Sequence, residues 1–309
     1  MIVWPAIVTL VWLLVVAPLL PGIATKTRAW LTGRRGPPLL QLYFDLGKLW
    51  RKRCTYSRTT TWMFRVAPLT LLMTTLGAAC LLPLDGSHAV LRFSGDFIAF
   101  ASLLALGRFA LVLAGLDTGS SFEGMGASRD VTFATFTEPA LLLGFATLAL
   151  LSGSLSLTGM FGTAPTPAWT AGAGHVGAAQ ALIATSLFLV LLAETARVPV
   201  DDPATHLELT MIHEVIVLDH SGPDLAVILY SGAVKLMVFG ALVVGVLIPP
   251  AALSGVRAVA ALTGGLVLVA ALVGVVESAT ARLRLTRVPQ FLVTAAALSA
   301  LATLLVLLQ

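Results

Sequence analysis

The sequence predicts an all-α integral membrane protein of about eight transmembrane helices, on three observations. Of 309 residues, 58% are hydrophobic and only 11% charged, whereas about a quarter of an ordinary soluble chain is charged. Mean hydropathy is +0.95, which leaves too little polar surface to coat a water-soluble globule. The apolar residues are gathered in runs of about 20, the length a helix needs to cross roughly 30 Å of hydrocarbon. Together these exclude a soluble enzyme, a disordered chain and a nucleic-acid-binding domain. The sequence pI near 9.4 rests on a formal charge of only +4, and basic residues in such a chain set topology. Two cysteines, Cys54 and Cys80, are too few for a disulfide framework or a four-cysteine metal site.

The runs place spans at about 2–24, 63–84, 97–117, 130–152, 176–197, 225–249, 253–277 and 288–308, forming one membrane domain over 1–309. The first run has no basic residue before it, and Lys26 and Arg28 after it. That order is the reverse of a cleaved signal, so the run is expected to remain as a span. The loop between the first two spans carries Lys26, Arg28, Arg34, Arg35, Lys48, Arg51, Lys52, Arg53 and Arg58, and the last loop carries Arg282, Arg284 and Arg287. The opposite side offers only Arg92 and Arg257. The positive-inside bias makes the first loop cytoplasmic and turns both termini outward. Trp4, Trp30, Trp50 and Trp62 fall near predicted span ends, where amphipathic rings collect. No internal repeat is visible.

Three connections carry further expectations. The outer stretch 153–175 is uncharged up to His175 and reads as an idle turn. The glycine-rich stretch 114–130 lacks the strand and the G-K-[ST] ending of a phosphate loop, and reads as loop backbone packed closely against a partner. Residues 33–53 set Leu42, Leu46 and Leu49 against Asp45, Lys48 and Lys52, an amphipathic pattern suited to the inner membrane surface and to docking a soluble partner.

Charges inside spans are costly and therefore informative. Arg108 lies in the third span, Asp130 and Glu138 in the fourth, Glu194 and Arg197 near the inner end of the fifth, Lys235 in the sixth, and Glu277 closes the seventh. Two readings stand side by side. One is internal ion pairing: Arg108 with a carboxylate, Glu194 with Arg197 on one helical face, Lys235 with Glu138. The other is a proton relay through the fourth, fifth and sixth spans, since burial moves carboxyl and amine titrations toward neutral pH. The inner loop 198–224 is densest, with Asp201, Asp202, Glu208, Glu214, Asp219 and Asp224 beside His206, His213 and His220. Its apolar stretch 208–218 is expected to lie on the membrane face or re-enter it. The histidines match no zinc motif, as Val217 stands four residues after His213. Proton handling suits them better than metal.

Several loop motifs resemble a known family. AETARVPVDDP at 193–203 is similar to the cytoplasmic-loop signature of subunit 1 of respiratory complex I. It resembles still more its counterpart in membrane-bound group 4 [NiFe]-hydrogenases, of the formate hydrogenlyase subunit 4 or hydrogenase-4 component C type. THLELTMIHEV (205–215), LDHSGPDLA (218–226), LAGLDTGSSFEGMGASRD (113–130), ESATARLRLTRVPQFL (277–292) and QLYFDLGKLWRKR (41–53) carry the same likeness, from about residue 5 to residue 305. Ala204, Thr205 and His206 stand where the complex I version is more acidic, which favours the hydrogenase branch. Glu123 stands where the family has a small residue.

The resemblance implies a non-catalytic subunit in the cell (inner) membrane. Its inner loops would dock a hydrogenase-like large subunit and an iron–sulfur small subunit. The iron–sulfur clusters and a NiFe centre would lie in those partners, and no cofactor in this chain. It would pass redox energy to antiporter-like membrane subunits as proton, or sodium, translocation. It assigns Glu194, Asp201 and Glu208 to the coupling path, with Arg197 as their charge partner. The charge pattern adds Glu138, Asp202, His213, Glu214 and Lys235 to that path, and Arg108 and Asp130 as possible charge partners. Arg51, Lys52, Arg53 and Asp219 are assigned to docking. The alternatives are the quinone-site subunit of an NADH-quinone oxidoreductase and a stand-alone ion or solute transporter. Transporters of that kind show paired, interrupted helices, which this sequence lacks.

Overall fold

The computed structural model describes residues 3–85, 88–162, 174–201, 211–248, 253 and 255–308. All its regular elements are helical: α1 (Val3–Val16), α2 (Leu19–Leu31), α3 (Gln41–Trp50), α4 (Trp62–Cys80), α5 (Asp96–Asp117), α6 (Ser121–Ser152), α7 (Leu157–Gly162), α8 (Gly174–Glu194), α9 (His213–Ile216), α10 (Gly222–Leu247), α11 (Val256–Ala279), a 3-10 turn at Leu285–Arg287, and α12 (Val288–Leu307). Seven of these helices are long and apolar enough to cross a membrane, and α1 with α2 makes an eighth span bent by 42°. The architecture is that of an all-α integral membrane protein, as the sequence predicts.

The spans pack as a bundle because each must bury a stripe of its surface while its outer face stays apolar. α4 lies along α5, α6 is flanked by α8 and α12, and α2 rests on α11. α10 touches α4, α8 and α11 and is the most enclosed span. Leu187, Met237, Phe239 and Phe145 form the centre of the core. Residues 32–61, residues 195–201 and 211–221, and the last loop meet at one end of the bundle, here called the basic end. Trp4, Trp30, Trp50 and Trp62 are all exposed, as residues at a membrane interface would be.

Four sequence expectations need correction. The first span does not stop near residue 24: it breaks at Ala17–Pro18, where proline has no N–H to donate, and resumes to Leu31. The stretch 114–130 is mostly helix, because α6 starts at Ser121. Two of its glycines, Gly115 and Gly126, serve close approach to this chain's own α9. A Cβ on Gly126 would lie 2.1 Å from Val215 Cγ1 and 3.0 Å from the Ile212 carbonyl oxygen. The outer stretch 153–175 is not idle over its described part. There α7 buries Leu157, Met160 and Phe161, and buried Asp96 accepts the Leu157 N–H at 2.6 Å. The fifth span ends at Glu194, so Arg197 lies beyond the helix.

The apolar segment at α9 is driven into the bundle: Met211, Ile212, Val215 and Ile216 are all buried, against α5 and α6. Gly126→Val is therefore expected to displace this segment and lower stability by about 1–3 kcal/mol, the usual cost of overpacking. Gly124→Ala, whose added carbon would meet nothing closer than 3.9 Å, should be close to neutral. Thermal unfolding of the detergent-purified variants compares the two.

Candidate functional site

The site is assembled around Arg108, which sits in α5 with its guanidinium buried among neighbouring helices. Helical periodicity puts Asp130, Thr137 and Glu138 on one side of α6, at steps of seven and eight residues. Arg108 Nη1 binds Glu138 Oε1 at 3.0 Å, its Nη2 binds Glu194 Oε1, and its Nε lies 3.8 Å from Asp130 Oδ2. Glu194 ends α8, where the helix dipole disfavours an anion. It is held there by Arg108, by Lys235 Nζ of α10 at 2.7 Å and by the Thr137 hydroxyl, which donates at 3.0 Å. His213 Nε2 is 3.2 Å from Asp130 Oδ1.

The turn after α8 distributes charge to three places. Ala196 takes the left-handed conformation, φ 53°, and the Arg197 N–H reaches back to the Leu192 carbonyl at 2.9 Å. That is a helix ending which glycine usually supplies, and an alanine there costs about 1–2 kcal/mol. The chain direction reverses, and Glu194, Arg197 and Asp201 diverge. Arg197 Nη1 meets buried Glu277 Oε1 of α11 at 3.2 Å, and Arg28 of α2 approaches Glu277 Oε2 at 4.0 Å. Asp201 Oδ1 pairs with Arg282 at 2.9 Å, while its Oδ2 accepts the Ile212 and His213 N–H groups at 3.0 and 3.2 Å. Asp201 thereby places α9, and with it His213, over Asp130.

Of the residues singled out from sequence, Arg108, Asp130, Glu138, Glu194, Lys235 and His213 come together in one network. Asp201 adjoins it, and Glu214 lines the neighbouring cavity. Asp202 and Glu208 lie outside the described residues, as does His206. Two expected pairings are wrong. Glu194 pairs with Arg108 and Lys235 instead of Arg197, because the helix stops before the i, i+3 relation can apply. Lys235 pairs with Glu194 instead of Glu138. Arg197 correspondingly meets Glu277, and its expected relation to Glu208 lies outside the described residues. Glu277, Arg282, Arg28 and Thr137 were not assigned a role, although Glu277 and Arg282 sit in one of the motifs quoted above. Arg51, Lys52, Arg53 and Asp219 are exposed at the basic end.

Among the described residues two cations, Arg108 and Lys235, face three carboxylates, so neutrality takes one further proton, on His213 or on a carboxylate. Two voids of about 10 Å³, the size of a single water, flank Arg108 and Glu194. A larger cavity of about 250 Å³ reaches Glu194, Lys235 and His213 from a mouth walled by Pro21, Leu42, Leu71 and Leu229. Among the described residues no group of three His, Cys, Asp or Glu is placed to hold a metal ion.

The NADH dehydrogenase family matches residues 4–308, nearly the whole chain and all of this network. This chain belongs to the NADH dehydrogenase family. Within it, the chain is 34% identical to hydrogenase-4 component C of Escherichia coli (strain K12), over 79% of this chain and 75% of that protein. It is 38% identical to formate hydrogenlyase subunit 4 of the same organism over 52% of each chain. The H subunit of the NADH-quinone oxidoreductase of Rubrobacter xylanophilus is 24% identical over 73% of this chain and 68% of that one. The same fold occurs in a solved structure of the membrane-bound sulfane sulfur reductase, an archaeal respiratory membrane complex, with a TM-score of 0.82, 19% identity and 98% of both chains covered.

The basic-end surface of this family member is fastened by a separate cluster. His220 stacks on Phe64 at 3.9 Å and is only 3% exposed. Thr55 binds Ser221 at 2.9 Å, and the Tyr56 hydroxyl donates to Asp224 at 2.9 Å. Buried Glu123 accepts the Asp219 N–H at 3.0 Å and fixes the same turn. Burial pushes His220 down to about 4 from 6.5, against a weaker pull from Asp224 and Asp219. The folded protein thus refuses a proton that the unfolded chain takes up below about pH 6.5. Stability from this group is complete above that pH and is lost as pH falls toward about 4. His220→Phe should flatten that part of the profile, read as thermal midpoint against pH.

Proposed function

We propose that this chain is a non-catalytic membrane subunit of a multisubunit oxidoreductase of the group 4 [NiFe]-hydrogenase type, resident in the cell (inner) membrane. It anchors the peripheral electron-transfer arm at its basic end, which faces the cytoplasm, and couples electron transfer to proton movement. The likeness to hydrogenase-4 component C and formate hydrogenlyase subunit 4 exceeds that to the NADH-quinone oxidoreductase component and favours this branch. Iron–sulfur clusters and a NiFe centre belong to the large and small subunits of the arm, which are the soluble partners in this reading.

One observation carries the coupling role. Glu138 stands well inside a span with its side chain 46% exposed, and a carboxylate cannot be left facing hydrocarbon without a cost of several kcal/mol. It is joined through Arg108 to buried Glu194 and Asp130. The reading is that Asp130 and His213 accept protons at the basic end. The network shifts with the charge of the arm above it. Glu138 hands the proton on to a neighbouring antiporter-like membrane subunit that covers this face. Asp202 and Glu208 are assigned to the cytoplasmic approach to the same path, and Asp201 and Glu214 to its rim.

A second reading, the quinone-site subunit, draws on the cavity, whose apolar mouth and charged end would suit an amphipathic ring compound. Mild-detergent purification of the tagged protein with its partners, followed by elemental analysis, separates the two. Iron with nickel supports the hydrogenase branch, and iron without nickel beside NADH-oxidising subunits replaces it with the quinone branch.

Glu138→Gln and Glu194→Gln should leave the complex assembled while lowering electron-transfer-driven proton uptake in vesicles about a hundredfold, the usual worth of a positioned proton-transfer group. Undiminished uptake in both variants would remove the coupling role. Arg51→Glu combined with Arg53→Glu should release the arm at lower salt than the parent does, since rim charges attract through a screened field. Co-purification across a salt series measures this.

A further inference from the structure

The break in the first span exposes two backbone carbonyls that a continuous helix would satisfy. The Ala17 N–H closes the last regular turn of α1 on the Leu13 carbonyl at 2.8 Å, and the Leu20 N–H reaches only back to Ala17, at 3.1 Å. Pro18, between them, has no N–H for the Leu14 carbonyl. Leu13, Ala17 and Leu20 are fully buried, so the kink is set in the core. Two tyrosines from elsewhere in the chain meet it. The Tyr230 hydroxyl of α10 donates to the Leu14 carbonyl at 3.1 Å, and the Tyr43 hydroxyl of α3 donates to the Val15 carbonyl.

The residues next to these contacts, not the contacts themselves, line the large cavity. Leu42 and Leu229, each one residue before a latch tyrosine, line its mouth with Pro21, three residues past the proline. The walls differ in how firmly they are held. α2 is fixed on α11, where a Cβ on Gly274 would lie 2.4 Å from the Ala24 carbonyl oxygen, and Arg28 approaches Glu277 nearby. α3, in contrast, buries none of its residues. Tyr43 fastens it to the first span, and Tyr230 fastens the same kink to the helix that carries Lys235.

We propose that the kink at Pro18 is a two-tyrosine latch that holds α3 closed over the mouth of the cavity beside Glu194 and Lys235. Tyr43 and Tyr230 are its positioning residues. Pro18 creates the acceptors, the tyrosines fill them, and α3 is the movable wall. Releasing either hydroxyl opens the mouth toward the membrane surface. This goes beyond the functional reading above and holds whatever passes through the cavity.

The test is a labelling rate in the full chain, reconstituted in vesicles after Cys54→Ser and Cys80→Ala. Ser231→Cys, conservative in size, puts a thiol in the cavity lining at a buried position. Its alkylation by membrane-permeant N-ethylmaleimide reports access. Tyr43→Phe and Tyr230→Phe should each speed alkylation about fivefold, the equilibrium shift for losing one hydrogen bond of ordinary strength. In a Pro18→Ala background the helix can satisfy the Leu14 carbonyl itself, so the ratio for Tyr230→Phe should fall toward one. Equal rates with and without the hydroxyls would overturn the latch, as would a ratio for Tyr230→Phe that Pro18→Ala leaves unchanged. No electron-transfer assay enters, so failure of the functional reading would leave these ratios untouched.

Discussion

A guanidinium placed inside an apolar span has to find its counter-charges within the bundle, and Arg108 fixes much of what surrounds it. It calls for carboxylates from two other helices, Asp130 and Glu138 on α6 and Glu194 at the end of α8. Glu194 in turn requires Lys235 from α10. Four spans are thereby tied together. Buried ion pairs of this kind add little net stability over apolar packing, because the desolvation of both partners offsets the attraction. Their presence in place of leucine and valine is what separates this bundle from a passive anchor.

The turn from Glu194 to Asp201 extends that network to the basic end. Three charges, at positions 194, 197 and 201, enter three different contacts: the Arg108 network, Glu277 on α11 and Arg282 with the start of α9. The strain at Ala196 belongs to the same device, since only a reversal there lets side chains so near in sequence point apart. Any displacement of this segment by a protein seated above it would reach all three contacts at once. The charge network and the exposed basic-end surface are in this way mechanically adjacent, without a long chain of intermediates between them.

How much of this was legible in the sequence depends on what kind of force decided each feature. Span number and approximate limits follow from transfer of apolar side chains out of water, which is additive along the chain and so visible in it. Arg108, Glu138, Glu194 and Lys235 stood out for the same reason, as charges where transfer is costly. The pairings were not legible. Glu194 and Arg197 look like helical neighbours, but the helix ends between them, and Glu277 waits 80 residues away. The start of α6 was hidden because Gly124 and Gly126 weaken a helical pattern, while the reason for Gly126 lies in the approach of Val215, a tertiary fact. The kink at Pro18 was masked by an apolar run that continues through it, and the tyrosines that answer it come from positions 43 and 230.

The length of α6 bears on energetics as well as on packing. Eight residues separate Asp130 from Glu138, about 12 Å along the helix axis. A hydrocarbon core is roughly 30 Å thick, but one guanidinium reaches both carboxylates. A proton passed between them would therefore move less than the backbone rise and cross under about two fifths of the dielectric that supports the transmembrane voltage. In the reading proposed above such a step would be electrogenic, working with or against a field of about 100 mV by less than about 1 kcal/mol. With the basic end on the negative side, as proposed, the inward transfer would run uphill. Under the proposed coupling role, an energised membrane would oppose loading of the network and so slow the redox reaction coupled to it, a back-pressure built into the depth at which two carboxylates are set on one helix.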